Sequence, residues 1–233
     1  MPKTLIYAIH GFLGNSSDWD IIKSCLDSEV LFIAEDIFSK KQSMDFFLER
    51  VDSFKEFQCK KIFLGYSMGG RLGLQILKKC PESFDHYVFL STNIGLPAES
   101  IEDRERRVLN DQRWSEKISL ENWDIFLKEW NSQNVFQGSK AECQRHVEQY
   151  DLFKLKESLV KWSLGFQEDF SDVVKEHNSK ITWVVGDRDE KYCEMAESLK
   201  SKNILLDFKK VSSGHRLWLD HPEAVANILK ILV

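Results

Sequence analysis

The sequence predicts an α/β protein: a mostly parallel, doubly wound sheet with a helical segment inserted between two of its strands. Three observations carry this. Short apolar runs alternate with amphipathic stretches as far as Ser91, the alternation resumes at Ile181, and the text between holds no strand pattern. Strands buried on both faces read as unbroken apolar runs, so strict alternation of such runs with helical periods points to a parallel sheet wrapped by helices.

The runs are Leu5 to Ile9, Val30 to Ala34, Ile62 to Leu64 and Tyr87 to Leu90. Between them Asp18 to Leu26, Met44 to Phe57 and Met68 to Lys79 place apolar residues three and four apart, the helical period. From Glu99 to about Leu164 the sequence is charged, amphipathic and without turn punctuation, and it holds Trp114, Trp123, Trp130 and Trp162. That is too long for a loop and reads as helices. The expected division is therefore a core of residues 1–92 and 165–233, with 93–164 as a helical cap in the same domain. Ile181 to Val185 is then a strand, Tyr192 to Lys200 a helix and Leu205 to Lys209 a last strand. Pro222 opens a closing helix to Val233, since Pro is tolerated in a first helical turn.

Composition narrows the class. The chain has 233 residues, the size of one large domain, and needs no disulfide or metal to hold a core. A net charge of −5 argues against sequence-blind nucleic-acid binding. The five cysteines (Cys25, Cys59, Cys80, Cys143 and Cys193) form no C-x-x-C pair. Reduced thiols in a cytoplasm are the expectation, with neither a disulfide framework nor a structural zinc. No apolar run approaches the ~20 residues that cross a bilayer, and the start of the chain lacks the apolar core and cleavage site of a signal peptide. Monomer and homodimer are both compatible with these features.

The sharpest local signal is Gly65-Tyr66-Ser67-Met68-Gly69, between an apolar run and a helical pattern. Strand, sharp turn and helix are the context in which G-x-S-x-G lifts a serine oxygen out of the top of a sheet. A serine is inert until an imidazole takes its proton, and that imidazole needs an orienting carboxylate. The expected order of serine, acid, histidine is met by Ser67, then Asp187 or Asp189 after one late strand, then His215 after the next. Asp187 reads equally well as a turn residue. An oxyanion hole is expected from the amide of Met68 and from that of Phe12 in His10-Gly11-Phe12-Leu13-Gly14, which follows the first strand. His10 reads as a structural residue that shapes this loop.

With HGF near the start, GYSMGGR at the turn, and GDRDEKY and SSGH toward the end, the chain resembles the α/β-hydrolase superfamily along its whole length. More narrowly it resembles the 2-succinyl-6-hydroxy-2,4-cyclohexadiene-1-carboxylate synthases of menaquinone biosynthesis. The narrower features are Arg71, the run Arg104-Glu105-Arg106-Arg107 with Asn110-Asp111-Gln112-Arg113-Trp114 behind it, and Trp130 followed by Val135-Phe136.

The resemblance implies a catalytic triad of Ser67, His215 and Asp189 that works as a base without cofactor or metal. Pyruvate is eliminated from a succinyl-bearing cyclohexene polycarboxylate. It also implies that Arg71 and Arg107 bind substrate carboxylates and that Tyr66 and Trp130 are pocket aromatics. Position and chemistry support Arg71, which lies one helical turn past Ser67 and carries a fork suited to carboxylates. One departure stands out. The family's third substrate-binding arginine falls, without gaps from Trp130, on Asp151. Either the cap is shifted and Arg145, Lys154 or Lys156 takes over, or the chain handles another substrate. The alternative activity is a serine carboxylesterase or thioesterase using the same triad through an acyl-enzyme. A third reading is a non-enzymatic scaffold on the same fold, which the presence of all three triad residues disfavours.

Overall fold

The computed structural model describes residues 2–38, 43–140 and 144–233. Six parallel strands form one sheet: β1 Thr4–Ile9, β2 Val30–Glu35, β3 Lys60–Tyr66, β4 His86–Leu90, β5 Ile181–Gly186 and β6 Lys209–Val211. Their order across the sheet is β2-β1-β3-β4-β5-β6. The strand order reverses at β1, so the loops after β1 and β3 lie side by side at the carboxyl edge, where open α/β sheets build sites.

Alternate side chains of each strand feed two cores. Leu5, Tyr7, Ile9, Phe63, Tyr87, Phe89 and Trp183 point to one face, under α2 (Met44–Asp52), α3 (Met68–Lys79), α7 (Ser171–Glu176) and α8 (Glu190–Ser201). Ile6, Ala8, Ile62, Leu64, Val88, Leu90 and Val184 point to the other, under α1 (Asp20–Ser24), α9 (Leu217–Asp220) and α10 (Pro222–Lys230). All six residues of β1 are buried, as a central strand covered on both sides must be. Burying a large apolar side chain contributes roughly 1.5–3 kcal/mol, so this two-sided core fixes the loops above it.

Between β4 and α7 lie α4 (Ile101–Glu116), α5 (Trp123–Asn131) and α6 (Leu152–Lys161), with short 3-10 turns and no strand among the described residues. Trp123 and Phe126 are buried, and Trp114 and Trp130 pack against them.

The last strand differs from expectation. The apolar pair Ile204-Leu205 does not open it. Both amides donate back to the Leu199 carbonyl, closing the end of α8, and Leu205 is buried there while Leu206 is exposed. The strand begins at Lys209 and pairs Val211 with Gly186. The first two helical patterns also split, each into an α-helix and a 3-10 turn, Ser16–Trp19 before α1 and Ser53–Glu56 after α2. Cys25, Cys59, Cys80 and Cys193 are free thiols. Cys143 lies outside the described residues.

Candidate active site

β3 delivers Ser67 to a sharp turn. Its backbone sits at φ 49°, ψ −108°, a conformation that L-residues rarely adopt and that costs of order 1–3 kcal/mol. The neighbouring glycines make the turn possible. A Cβ on Gly69 would lie 2.1 Å from the Ile9 carbonyl oxygen, and one on Gly65 would lie 2.6 Å from the Gly70 Cα. The Ser67 amide is tied to the Leu90 carbonyl at 2.9 Å, which holds the turn against β4.

The loops after β5 and β6 bring two more groups to this serine. His215 Nδ1 is 2.6 Å from Asp189 Oδ2, and His215 Nε2 is 3.3 Å from Ser67 Oγ. With the proton on Nδ1 donating to the carboxylate, Nε2 is left to accept from the serine hydroxyl. His215 and Asp189 are both buried. Asp187 braces the loop instead. Its Oδ1 accepts from the Ser213 amide at 3.0 Å and meets Arg188 at 3.2 Å. Asp220 Oδ2 accepts from the Gly214 amide and the Ser213 hydroxyl, so the backbone ahead of His215 is held from two sides.

Ser91 is a site residue that the sequence does not announce. It sits just past β4 at φ 41°, is fully buried, and donates its hydroxyl to Asp189 Oδ2 at 3.2 Å. Tyr192 is another, with its ring centroid 4.7 Å from that of His215. Burial and the Asp189 charge push the Tyr192 hydroxyl up to about 12, and burial raises Tyr66 further, so both remain neutral beside the imidazole.

The loop after β1 crosses in front of Ser67. A Cβ on Gly11 would meet the Tyr66 ring at 2.8 Å and the Ser67 Cβ at 3.4 Å, so only glycine lets the chain pass so close. Met68 is the first residue of α3, and its amide has no helical acceptor by construction. Among the described residues neither the Phe12 nor the Met68 amide donates to a backbone carbonyl outside the regular elements. His10 is fully buried and turned away from Ser67. Its Nδ1 is 2.8 Å from the Gly11 carbonyl, and its Nε2 accepts from the Ile37 amide at 3.2 Å.

A narrow cavity of about 60 Å³ opens over the serine, walled by Phe12, Tyr66, Ser67 and His215 from the core. Trp130, Asn131, Phe136 and Arg145 close it from the inserted segment, and Asp18, Arg216 and Trp218 complete it. Tyr66 and Trp130 are both in the wall of this cavity, the Trp130 ring 4.8 Å from that of Phe12.

Arg71 and Arg107 do not line this cavity. Arg71 runs back under the inserted segment, where its Nη1 donates to the Trp162 carbonyl at 2.6 Å and to Gln167 Oε1 at 3.2 Å. Burial, aided by the Arg107 charge, lowers its pKa to about 10, still far above neutrality. Arg107 is half-buried on α4 in an ion pair with buried Asp111 at 2.8 Å, and lines a separate surface pocket with Lys191 and Arg113. One helical turn past Ser67 is the right position for reaching the pocket, but the end-of-helix carbonyl of Trp162 attracts the Arg71 guanidinium first.

Asp151 also lies elsewhere. It caps α6, accepting from the Phe153 and Lys154 amides at 3.1 and 3.2 Å, and is exposed. Of the three cations that could substitute for the family's third arginine, only Arg145 is in the cavity wall. It is paired with both oxygens of Asp18 at 2.7 Å, and its carbonyl accepts from Trp123 Nε1 at 3.0 Å. Burial raises the Asp18 pKa despite that partner. Among the described residues no three His, Cys, Asp or Glu side chains are grouped so as to hold a metal ion.

Residues 58–122 match the α/β-hydrolase fold family. The chain has the α/β-hydrolase fold, with a serine, a histidine and an aspartate in hydrogen-bonding sequence at the carboxyl edge of its sheet. Along most of its length it is similar to 2-succinyl-6-hydroxy-2,4-cyclohexadiene-1-carboxylate synthases. It is 27% identical to that of Yersinia pestis, over 82% of this chain and 75% of the relative. It is 24% identical to that of Enterobacter sp., over 95% and 88%. Among solved structures, MenH from S. aureus superposes with a TM-score of 0.82 at 18% identity, covering 99% of this chain and 93% of that one.

Proposed function

We propose that this protein is a carbon–oxygen lyase that eliminates pyruvate from a succinyl-bearing cyclohexene polycarboxylate. The product is 2-succinyl-6-hydroxy-2,4-cyclohexadiene-1-carboxylate, in menaquinone biosynthesis. The observation that carries the reading is the relay of Asp189, His215 and Ser67 at 2.6 and 3.3 Å beneath a partly aromatic cavity. Relatives that span most of the chain carry this activity in their names.

Ser67, with its proton drawn by His215, takes the ring proton. The electrons left behind form the new ring double bond, the carbon–oxygen bond breaks, and pyruvate leaves as its enolate before taking up a proton. The Phe12 and Met68 amides hold the developing enolate oxygen. Preorganised donors of this kind matter because each contributes roughly 10²-fold to 10³-fold. Asp189 fixes the imidazole tautomer and steadies the imidazolium as it forms. Residues 93–164 act as the cap, supplying Trp130, Phe136 and Arg145 as the roof.

The work takes place in the cytoplasm. Four free thiols and the absence of a membrane-spanning helix among the described residues support that placement. The test is pyruvate release from the unstable pathway intermediate, generated in situ by the preceding enzyme. Acceleration of several orders over the spontaneous rate is expected, and it should be lost in Ser67→Ala. A rate equal to background for the wild-type protein refutes the reading.

A further inference from the structure

Four ionisable side chains line the cavity over Ser67 beside its aromatic walls: Asp18, Arg145, His215 and Arg216. Arg145 and Asp18 neutralise each other at 2.7 Å, with side chains only 7% and 5% exposed. His215 is matched to Asp189. Arg216 is left over. Its residue is 6% exposed, and among the described residues no carboxylate lies within ion-pair distance of it. A guanidinium largely removed from water favours a counter-charge beside it.

The Arg216 side chain is nevertheless held in a defined pose. Nη2 donates to Asn131 Oδ1 on α5, and the guanidinium carbon lies 4.0 Å from the centre of the Phe136 ring. Its backbone amide is fixed to Ser139 Oγ at 3.4 Å. Among the described residues only one of the five N–H donors has a protein acceptor, so Nε and Nη1 remain for a ligand. Both Asn131 and Phe136 are walls of the same cavity. The group is thus pre-oriented and under-partnered, one residue from His215. A planar fork in this setting suits a carboxylate, which can take two parallel hydrogen bonds and return the missing negative charge.

We propose that Arg216 is the carboxylate anchor of this pocket and sets its preference for anionic ligands. It takes the role that the family resemblance implies for Arg71 and Arg107, which lie outside the cavity. The inference rests on the cavity over Ser67 being the active site. It deepens the reading of a polycarboxylate substrate by naming the residue that grips one of the carboxylates.

The test is a binding titration that needs no turnover. Succinate and its neutral counterpart succinamide are titrated by calorimetry and by the fluorescence of the cavity tryptophans, using wild type, Ser67→Ala, Arg216→Gln and Arg216→Lys. Wild type and Ser67→Ala should bind succinate well above succinamide. Arg216→Gln should lose roughly tenfold to a hundredfold in succinate affinity, the range of a charged hydrogen bond, and leave succinamide unchanged. Arg216→Lys should recover part of the loss, since it restores charge without the fork.

A folded Arg216→Gln that binds succinate within twofold of wild type overturns the proposal. Equal loss for both ligands also overturns it, because that is the signature of a latch between His loop and cap. So does a wild-type protein that does not prefer succinate. The two readings separate cleanly. Charge preference lost in Arg216→Gln without any pyruvate release from wild type keeps the anchor and removes the synthase. Pyruvate release with an indifferent Arg216→Gln does the reverse.

Discussion

The turn after β3 and the inserted segment after β4 face each other across one cavity, but the sequence specifies them in different ways. At the turn a short motif carries the requirement: Gly65 and Gly69, where a Cβ would strike Gly70 or the Ile9 carbonyl of adjoining β1, and a serine forced to φ 49°. Along the seam between the inserted segment and the core a residue's role depends on which distant part of the chain it meets. Arg71 meets the Trp162 carbonyl, Tyr150 donates to the Leu13 carbonyl at 2.8 Å, and Arg188 donates to the Gly138 carbonyl at 2.9 Å. Chemistry built on a short motif is fixed by local sterics, whereas substrate recognition built on a seam is fixed by packing between remote parts of the chain.

The turn is most sensitive at Gly69. Gly69→Ala puts a methyl group 2.1 Å from one backbone oxygen and 2.5 Å from another, neither of which can move without dragging β1. A loss above about 4 kcal/mol, or failure to fold, is expected from strain of this kind. A soluble variant with wild-type denaturation midpoint would show that the turn is not sterically determined.

Arg71→Ala comes next. It leaves the Trp162 carbonyl without its donor in a buried place, so about 1–3 kcal/mol of stability should go in urea denaturation. Should the variant keep its stability but lose succinate affinity, Arg71 would return to the ligand and the seam reading would fall.

Asp151→Ala sharpens the same point more gently. Removing an N-cap costs about 1 kcal/mol, and with the side chain outside the cavity kcat/KM for pyruvate release should stay within about twofold. An increase in kcat/KM of about tenfold would mean that the acid does repel substrate.

The smallest effect is at the opposite end of the sheet. His86, on β4, is half-buried against Thr182, and burial followed by the Lys60 charge lowers its pKa below the ordinary 6.5. The unfolded chain then takes up a proton near pH 6.5 that the folded chain refuses. The associated stability is complete above that pH and is lost as the pH falls toward the lowered native value. His86→Gln should flatten the acid limb of the melting temperature below about pH 6.5 and leave turnover alone. An unchanged limb would put the acid sensitivity elsewhere.

Legibility in the sequence follows the same divide. The order of strands and helices, the turn at Ser67 and the loop at His215 are readable, because apolar period and glycine spacing are local properties. The last strand is not, because Ile204 and Leu205 look like a strand opening although they close a helix. Asp189 separates from Asp187 in the sequence only through resemblance, since both follow the same strand. Ser91 gives no signal: its partner Asp189 is 98 positions away. Arg216 is equally silent, as the Asn131 that poses it lies 85 positions upstream.

In the proposed reaction the relay running from Asp189 through His215 to Ser67 drives the elimination. Pyruvate release by Asp189→Asn and Asp187→Asn, measured side by side on folded protein, tests it most directly. Asp189→Asn should lose roughly 10³-fold to 10⁴-fold in kcat, because an amide at Oδ2 no longer holds the productive tautomer. Asp187→Asn keeps an acceptor for the Ser213 amide and should fall by less than about tenfold. Equal losses in the two variants, or an Asp189→Asn enzyme near wild-type rate, would contradict the account.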